Sequence, residues 1–368
     1  MNNAYIGLIS GTSTDAIDAV AVAIDDQNNI CELASLAYPI NSSLRDEIFS
    51  IQTDSVSLKQ FGELDTRLGE TFAGATLALI ESNNLDASSI QAIGSHGQTI
   101  KHDPDCAQPY SIQIGNPSII AERTKITTVA DFRRRDIAAG GQGAPLVPAF
   151  HQAWLGKQNN SAVLNMGGIA NITVLANQDS QPRLGFDTGP ANTLLDAWAR
   201  KHLNHAFDEK GQWSKSGNIN QQLLDSLLKH PYFRKVPPKS ADISQFNLSW
   251  LENFLRLFPD VDPKDVAATL VELTVTSIKN ALSAWAADTV QLIACGGGCS
   301  NEYLMEQLAK RIYPIRLTTT TEFGIEPDWV EATAFAWLAR QTLLRKPGNS
   351  HHSTGAKHAC ILGGVYYK

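Results

Sequence analysis

The segment SAVLNMGGIANITVL, residues 161–175, has two apolar runs joined by a glycine-rich polar turn. Short apolar runs bounded by Gly and polar residues predict two β-strands connected by a tight turn. The segment YIGLISGTSTDAIDAVAVAI, residues 5–24, has the same shape, with Gly-Thr-Ser in its turn. Two copies of one strand-turn-strand unit predict a chain built from two similar halves that face each other.

Helical patterns separate the predicted strands along the rest of the chain. They cover residues 57–83 and dominate residues 196–286. Strands that alternate with helices and end on Gly-rich turns are typical of an α/β protein. We predict two α/β lobes, the first formed by residues 1–135 together with 345–368 and the second by residues 136–344.

Composition excludes several classes of protein. The 368 residues are 43% hydrophobic and 18% charged, as in an ordinary globular protein, and the formal net charge is −7. A negative chain is a poor general binder of nucleic acid or anionic membrane, because phosphates need a basic surface. The N-terminus lacks the features of a signal peptide, and no apolar run approaches the roughly 20 residues of a membrane helix. Five scattered cysteines without a CxxC pair predict reduced thiols and a cytoplasmic protein.

Three Gly-rich turns are candidate phosphate sites. They lie at residues 10–15, at residues 165–171 with Gly167 and Gly168, and at residues 295–300 before a predicted helix. Small residues let backbone N–H groups approach an anion, and a helix N-terminus favours negative charge. The first two turns are each also consistent with a simple hairpin, and none of the three is a P-loop, because GxxxxGK[ST] is absent. Together the three turns fit one nucleotide gripped between two domains, with Asp15 placed to hold Mg²⁺ through water.

The segment RLGFDTGPAN, residues 183–192, admits two interpretations. In the first, Asp187 and Thr188 are ordinary turn and helix-cap residues, and Pro190 suits a first helical turn. In the second, Asp187 is a catalytic base that faces bound phosphates. Asp-Thr-Gly is also the tripeptide of aspartic proteases, but those need two opposed carboxylates, and here the tripeptide occurs once in an α/β chain.

Histidines and cysteines give weaker indications. His96 and Gln98, in SHGQT after a predicted strand, are candidate pocket residues, although a lone histidine is more often structural. His351-His352 in a polar loop and the cysteines on either side of the third Gly-rich turn have no further ligands at zinc-site spacing.

Eight motifs taken in order resemble the anhydro-N-acetylmuramic acid kinase family. They are SGTSTDAIDAV, GSHGQTI, IQIGNP, ADFRRRDIAAGGQGAPLVP, NMGGIANIT, GFDTGPAN, ACGGGCSN and PDWVEATAFAWLA. The resemblance implies the two-lobed α/β fold of the sugar kinase, actin and heat-shock ATPase superfamily, with ATP in the interdomain cleft. It implies that ATP, water and 1,6-anhydro-N-acetylmuramic acid give ADP and N-acetylmuramic acid 6-phosphate during peptidoglycan recycling. It also implies a homodimer.

The same resemblance assigns site residues by motif. Asp187 would be the catalytic base, and Asp15 would hold Mg²⁺. The residues expected to meet ATP are Gly11, Thr12, Ser13, Thr14, Asp15, Asp18, Gly167, Gly168, Asn171, Gly296, Gly297 and Gly298. The residues expected to meet the sugar are His96, Gln98, Arg133 and Glu331, with Arg134 and Arg135 as alternatives to Arg133.

The chain departs from the family pattern at two places. Residues 13–16 read Ser-Thr-Asp-Ala where the family has Ser-Met-Asp-Gly. Because Ala tolerates positive φ poorly, loss of that glycine can shift the turn and change the nucleotide affinity, but we expect function to be retained. Residues 241–244 read Ala-Asp-Ile-Ser in place of Thr-Gly-Arg-Glu, so the role of that arginine is missing or moved. Another sugar kinase of the superfamily and a non-catalytic ATP-binding scaffold remain as alternatives.

Overall fold

The computed structural model describes residues 4–11, 14–53, 56–176, 182–241 and 245–368. The chain divides into two compact units, Met1–Trp154 with Trp329–Lys368 and Leu155–Asp328. The strands are β1 (Ala4–Ser10), β2 (Ala16–Ile24), β3 (Ile30–Pro39), β4 (Ile90–Ser95), β5 (Gln98–Asp103), β6 (Tyr110–Ile114), β7 (Thr128–Ala130), β8 (Ser161–Met166), β9 (Ile169–Val174), β10 (Leu184–Pro190), β11 (Gln291–Cys295), β12 (Arg316–Thr319) and β13 (Gly364–Tyr366).

The α-helices follow the strand ends or connect neighbouring strands. They are α1 (Ser42–Thr53), α2 (Leu58–Ser82), α3 (Pro117–Thr124), α4 (Phe132–Ala138), α5 (Val147–Leu155), α6 (Asn192–Leu203), α7 (Gln212–Lys215), α8 (Gln221–Leu227), α9 (Leu248–Leu255), α10 (Pro263–Trp285), α11 (Glu302–Ile312), α12 (Val330–Leu343) and α13 (His351–Thr354). Among the helices of the described residues, none is long and apolar enough to cross a membrane.

The two units contain the same sheet. In the first unit the strand order is β13-β7-β4-β1-β2-β3, and in the second it is β10-β9-β8-β11-β12. In each sheet three strands pair antiparallel, and two further strands add in parallel on the other side of the first of them. In the first unit β13 then pairs antiparallel with β7. The α/β class and the predicted repeat are therefore confirmed, and the repeated order fits the superfamily that the resemblance implied.

Each sheet is buried against its own helices. The core of the first unit packs β1 and β2 against α1 and α2, and that of the second packs β8, β9 and β10 against α6 and α10. Strand β1 is buried along its whole length, which explains its continuous apolar run.

Helix α12 belongs to the first unit, although the sequence placed it in the second lobe. A glycine pair in register, Gly7 on β1 and Gly94 on β4, lets the helix lie against the sheet. A Cβ atom on Gly7 would overlap the Ala332 carbonyl, and one on Gly94 would overlap the Phe335 carbonyl. Because α12 is buried on nearly every side, its sequence has no face that shows which sheet it covers. The unit boundaries accordingly fall at 154/155 and 328/329, not at 135/136 and 344/345.

Gly94→Ala tests this close packing. We expect it to lower the free energy of unfolding by about 3 kcal/mol, since the added methyl group must push α12 away from the sheet. Gly62→Ala is the matched control, because a Cβ on Gly62, within α2, meets nothing within 4 Å. It should raise stability by about 0.5–1 kcal/mol. Equal urea midpoints for Gly94→Ala and the wild type would contradict the packing.

Candidate functional site

Asp187 lies in a β-bulge. Strand β10 continues through all four residues of DTGP, which is therefore not the turn that the sequence predicted. Asp187 is opposite Asn171 on β9 and Gly189 is opposite Ala170, so Thr188 is an extra residue in β10. A bulge bends its strand and re-aims the neighbouring side chains. The direction of the Asp187 side chain is thus set inside a strand and not at a strand end.

The N-terminus of α6 is hydrogen-bonded to the second Gly-rich turn. The N-cap of α6 is Ala191, and no side chain caps the helix. The N–H of Ala191 donates to the Gly168 carbonyl at 2.9 Å, and the N–H of Asn192 donates to the Gly167 carbonyl at 3.1 Å. The helix-cap interpretation of Asp187 is therefore wrong, and the turn is fixed directly to α6.

One oxygen of the Asp187 carboxylate is held by a loop. Its Oδ2 accepts the Ala241 N–H at 2.8 Å, and its own N–H donates to the Lys239 carbonyl at 3.1 Å. Within the described residues Oδ1 accepts no hydrogen bond. Burial raises the pKa of Asp187 to about 7, an effect that the Ala241 N–H and the Lys239 charge oppose. A carboxylate that is fixed through one oxygen and titrates near neutrality suits a general base.

Aromatic rings complete this loop contact. The Tyr232 hydroxyl donates to the Asp187 carbonyl at 2.8 Å, and the Lys239 ammonium lies 4.6 Å from the centre of the Tyr232 ring. Sequence reasoning missed both residues, because pairing between a loop and a distant strand leaves no local signal. The departure at Ala241 does not remove the contact to Asp187, since a backbone N–H supplies it. Residues 242–244, which also differ from the family pattern, lie outside the described residues.

A polar row crosses the second sheet beside Asp187. Asn171 pairs with Asp187 on one side and with Asn165 on the other, and Asn165 pairs with Cys295. Directly paired residues place their side chains on the same face of a sheet. The structure thus places Asn171 and Asp187 opposite each other on neighbouring strands.

The first, second and third turns each contain a glycine with open space around it. A Cβ atom on Gly167 would meet only the Ile169 carbonyl at 3.8 Å, and one on Gly11 would meet nothing within 4 Å. The nearest atoms to a Cβ on Gly297 would be 3.9 Å away. None of these three residues has positive φ. Neither backbone conformation nor internal packing requires glycine there, which leaves room for a ligand to approach the backbone.

The other glycines of the third turn have a packing role. A Cβ on Gly296, where φ is +83°, would overlap the Asn165 side chain, and one on Gly298 would lie 2.6 Å from the Met166 Cβ. These two glycines let the third turn pack against the second. Helix α11 begins four residues after Gly298 and is capped by the Asn301 side chain. A short 3-10 helix, Gly297–Ser300, begins directly at this turn without a side-chain cap, so the role of the turn at an anion stays a prediction.

The first turn connects β1 and β2. Thr12 and Ser13, both predicted ATP contacts, lie outside the described residues. Thr14 is buried and has φ +55°, which a β-branched residue rarely adopts. Ala16 lies in β2 with no positive φ. The left-handed residue of this turn is thus Thr14 and not Ala16, and the effect of Ala16 on nucleotide affinity stays a prediction.

The predicted Mg²⁺ ligand lies next to that turn. Asp15 is exposed, and its carbonyl accepts the Ile40 N–H at 2.9 Å. Asp18 lies in β2 opposite Ile9. Within the described ranges no three His, Cys, Asp or Glu side chains form a metal-binding group. An exposed carboxylate fits a cation that keeps most of its waters.

Two of the predicted sugar residues hydrogen-bond to each other in the first unit. His96 follows β4, and its Nε2 accepts from Arg133 Nε at 3.0 Å, while Nδ1 donates to the Gly97 carbonyl at 3.0 Å. Arg133 Nη1 donates to the Gly143 carbonyl at 2.8 Å. Burial and the Arg133 charge hold the pKa of His96 well below its ordinary value. His96 is therefore a neutral imidazole.

Arg133 is the arginine that contacts His96, whereas Arg134 and Arg135 lie on the surface. Burial lowers the pKa of Arg133 to about 10, while the negative charge of Glu331, in the first turn of α12, favours its charged form. Arg134 pairs with Asp131 at 2.7 Å on the surface, and Arg135 is exposed. The structure thus groups His96, Arg133 and Glu331.

Buried polar atoms without a hydrogen-bond partner lie at and just after the carboxyl ends of β1 and β4. The Gln98 Oε1 and the hydroxyls of Ser10 and Ser95 are buried without a hydrogen-bond partner in the described part of the chain. Ser10 ends β1 and Ser95 ends β4, and these strands run parallel, so both hydroxyls lie at one edge. Buried polar atoms without partners indicate a ligand position. Sequence reasoning identified Gln98 and included Ser10 in the first Gly-rich turn, but it missed Ser95.

The repeated sheet defines the class of the protein: the fold of sugar kinases, actin and heat-shock ATPases. The model of the anhydro-N-acetylmuramic acid kinase family matches residues 3–368. Relatives named anhydro-N-acetylmuramic acid kinase, from Coxiella burnetii strains RSA 493 / Nine Mile phase I and Dugway 5J108-111, are each 49% identical over 365 residues, or 99% of this chain and 97% of theirs. The chain belongs to the anhydro-N-acetylmuramic acid kinase family, which makes it a phosphotransferase.

Solved structures give more distant similarities. Component A of the (R)-2-hydroxyglutaryl-CoA dehydratase of Acidaminococcus fermentans is 11% identical, with a TM-score of 0.48, and the match covers 91% of this chain and 96% of that one. The ROK hexokinase of Thermus thermophilus is 15% identical, with a TM-score of 0.36 and coverage of 92% and 99%. At such low similarity neither structure bears on the chemistry of this chain.

Proposed function

We propose that this protein is an ATP-dependent kinase that hydrolytically opens 1,6-anhydro-N-acetylmuramic acid and phosphorylates it to N-acetylmuramic acid 6-phosphate, in cell-wall recycling. Family membership supports the substrate and the transfer. The single observation that carries the chemistry is the Asp187 carboxylate, held through one oxygen and raised in pKa to about 7.

Asp187 has a defined part in the reaction. In the anhydro sugar one oxygen bridges C1 and C6. Asp187 takes a proton from a water molecule whose oxygen bonds to C1, and the bond between C1 and the bridging oxygen breaks. That oxygen stays on C6 and bonds to the γ-phosphorus of ATP, ADP leaves, and Asp187 releases its proton to solvent. General-base catalysis supplies about 10²–10⁴-fold of the acceleration, and positioning and charge stabilisation supply the rest.

The remaining site residues bind the two substrates. Gly11, Gly167 and Gly297 let backbone N–H groups approach the phosphates, since no atom of the described residues lies closer than 3.8 Å to a Cβ position there apart from the chain neighbours. Asp15 would hold Mg²⁺ through water, and the ion would supply charge neutralisation at the phosphates. The sugar is held by a charged and polar group whose members are His96, Gln98, Arg133 and Glu331.

Gly167→Val tests the phosphate turn. We expect the KM for ATP to rise about tenfold or more, because the side chain occupies the space that a phosphate needs, while the KM for the sugar stays unchanged. The melting temperature should stay close to that of the wild type, since the nearest atom to a Cβ there is 3.8 Å away. An unchanged KM for ATP would remove Gly167 from the nucleotide site.

A product assay tests the proposed function. The purified protein is incubated with Mg-ATP and 1,6-anhydro-N-acetylmuramic acid, and ADP and sugar phosphate are quantified by mass spectrometry. We expect equal amounts of the two products, and none when N-acetylmuramic acid or N-acetylglucosamine replaces the anhydro sugar. Phosphorylation of those open sugars would identify an ordinary hydroxyl kinase. Binding of ATP without any turnover would identify a scaffold.

Location and assembly follow from the same proposal. We infer a cytoplasmic homodimer that binds neither nucleic acid nor membrane, because the family resemblance implies a dimer and the net charge of −7 disfavours anionic surfaces. Sedimentation equilibrium of the purified protein should give twice the 40.0 kDa of one chain. A single-chain mass at micromolar concentration would contradict the dimer.

A further inference from the structure

The carboxylate of Asp136, in helix α4, is completely buried and fully hydrogen-bonded. Its Oδ2 accepts the Gly143 N–H at 2.8 Å. Its Oδ1 accepts from Asn349 Nδ2 and from Thr354 Oγ1, both at 2.8 Å. Buried carboxylates are costly unless several donors satisfy them, so three donors around one side chain indicate a specific role.

This carboxylate connects to the sugar residues through Gly143. The Gly143 N–H donates to Asp136, and the Gly143 carbonyl accepts from Arg133 Nη1 at 2.8 Å. Arg133 in turn donates to His96. The Asp136 charge also favours the charged form of Arg133. A continuous series of hydrogen bonds therefore runs from Asp136 to His96.

The loop and the C-terminal region are shaped around Asp136. A Cβ atom on Gly141 would overlap its Oδ2, and Gly143 has φ +71°. The Gln142 N–H donates to the Thr354 carbonyl at 2.8 Å, and the Lys357 N–H donates to the Ala139 carbonyl at 2.9 Å. The glycines of GGQGAP thus make room for the carboxylate and for the segment of residues 349–360.

We propose that Asp136 is a positioning residue for the sugar: it joins the 139–143 loop to the 349–360 segment and so fixes Arg133 against His96. This inference rests on the proposed function, in which Arg133 and His96 bind the sugar. A carboxylate accepts all three hydrogen bonds, whereas an asparagine of the same shape presents an N–H group to at least one of the donors. One buried donor then loses its partner, and the loop that carries the Gly143 carbonyl shifts.

Asp136→Asn should raise the KM for the anhydro sugar by about tenfold to hundredfold, with the KM for ATP unchanged within about twofold. Thr354→Val removes one donor and keeps the side-chain shape, so it should change the same constant in the same direction by about threefold to tenfold. If Asp136→Asn does not fold, Thr354→Val tests the positioning role in its place. Equal effects on both substrates, or no effect of a folded Asp136→Asn or Thr354→Val, would overturn the inference.

A double-mutant cycle with Arg133→Met separates the two proposals. If Asp136 acts through Arg133, adding Asp136→Asn to Arg133→Met changes the sugar KM by less than about twofold. Effects that multiply would show that Asp136 acts independently and would overturn the inference. If Arg133→Met alone leaves the sugar KM unchanged, the sugar site itself is wrong.

Discussion

Replacing Asp187 with asparagine is expected to lower kcat by about 10²–10⁴-fold and to leave the affinities for ATP and the sugar within about threefold. The amide keeps the shape of the carboxylate, and its oxygen still accepts the Ala241 N–H, but it cannot take a proton from water. The change therefore removes the chemical step and preserves binding. Isothermal titration with each substrate and a steady-state assay measure the two effects separately.

The pH dependence of the wild type gives an independent check on Asp187. Only the deprotonated carboxylate acts as the base, and its pKa is raised to about 7, so kcat/KM should rise with pH up to about 7 and then level off. This rise should be absent from the residual activity of Asp187→Asn. The control is Asp288→Asn, an exposed carboxylate of the same unit paired with Arg183, which should behave as the wild type does. Near wild-type kcat in Asp187→Asn would refute its assignment as the base.

Arg133→Met is expected to lower kcat/KM for the anhydro sugar by about 10²–10³-fold. The substitution removes a buried guanidinium and leaves the His96 Nε2 and the Gly143 carbonyl without their donor. Loss of one partner from a buried charged network typically costs this much in binding. The effect should fall on the sugar, because the residues around Arg133 belong to the proposed sugar group.

Arg134→Met and Arg135→Met are the matched controls for that change. Both side chains lie on the surface of α4, and Arg134 makes only an exposed ion pair with Asp131. Exposed pairs contribute little, so both variants should retain activity within about twofold. If Arg135→Met lost sugar turnover and Arg133→Met kept it, the sugar site would lie on the opposite face of α4.

Local pattern was enough to predict the repeated sheet and the three Gly-rich turns. Apolar runs separated by polar turns indicate strands, and clusters of small residues indicate turns. The sequence identified Asp187 as a candidate base but predicted that it lies in a turn. Its position in a bulge could not be predicted, because a bulge depends on how β10 pairs with β9. For the same reason the sequence did not predict that Lys239 and Ala241 contact Asp187, since folding alone brings that loop to β10.

Long-range packing also decided which helix belongs to which unit. Gly7 and Gly94 appear in the sequence as ordinary strand glycines, and only their register shows that they accommodate α12. Likewise the altered first turn drew attention to Ala16, whereas the residue with positive φ is Thr14. Backbone angles of a turn depend on the strands that it joins, and these are not determined by composition.

The most direct test of the central claim is the reaction in ¹⁸O-labelled water. In short incubations with Mg-ATP and the anhydro sugar, we predict one ¹⁸O atom at C1 of every phosphorylated sugar and none in its phosphate group. Unlabelled N-acetylmuramic acid 6-phosphate in the same water corrects for exchange at C1. Label in inorganic phosphate, with no label in the sugar beyond exchange, would show simple ATP hydrolysis and would contradict water attack at C1 coupled to phosphoryl transfer.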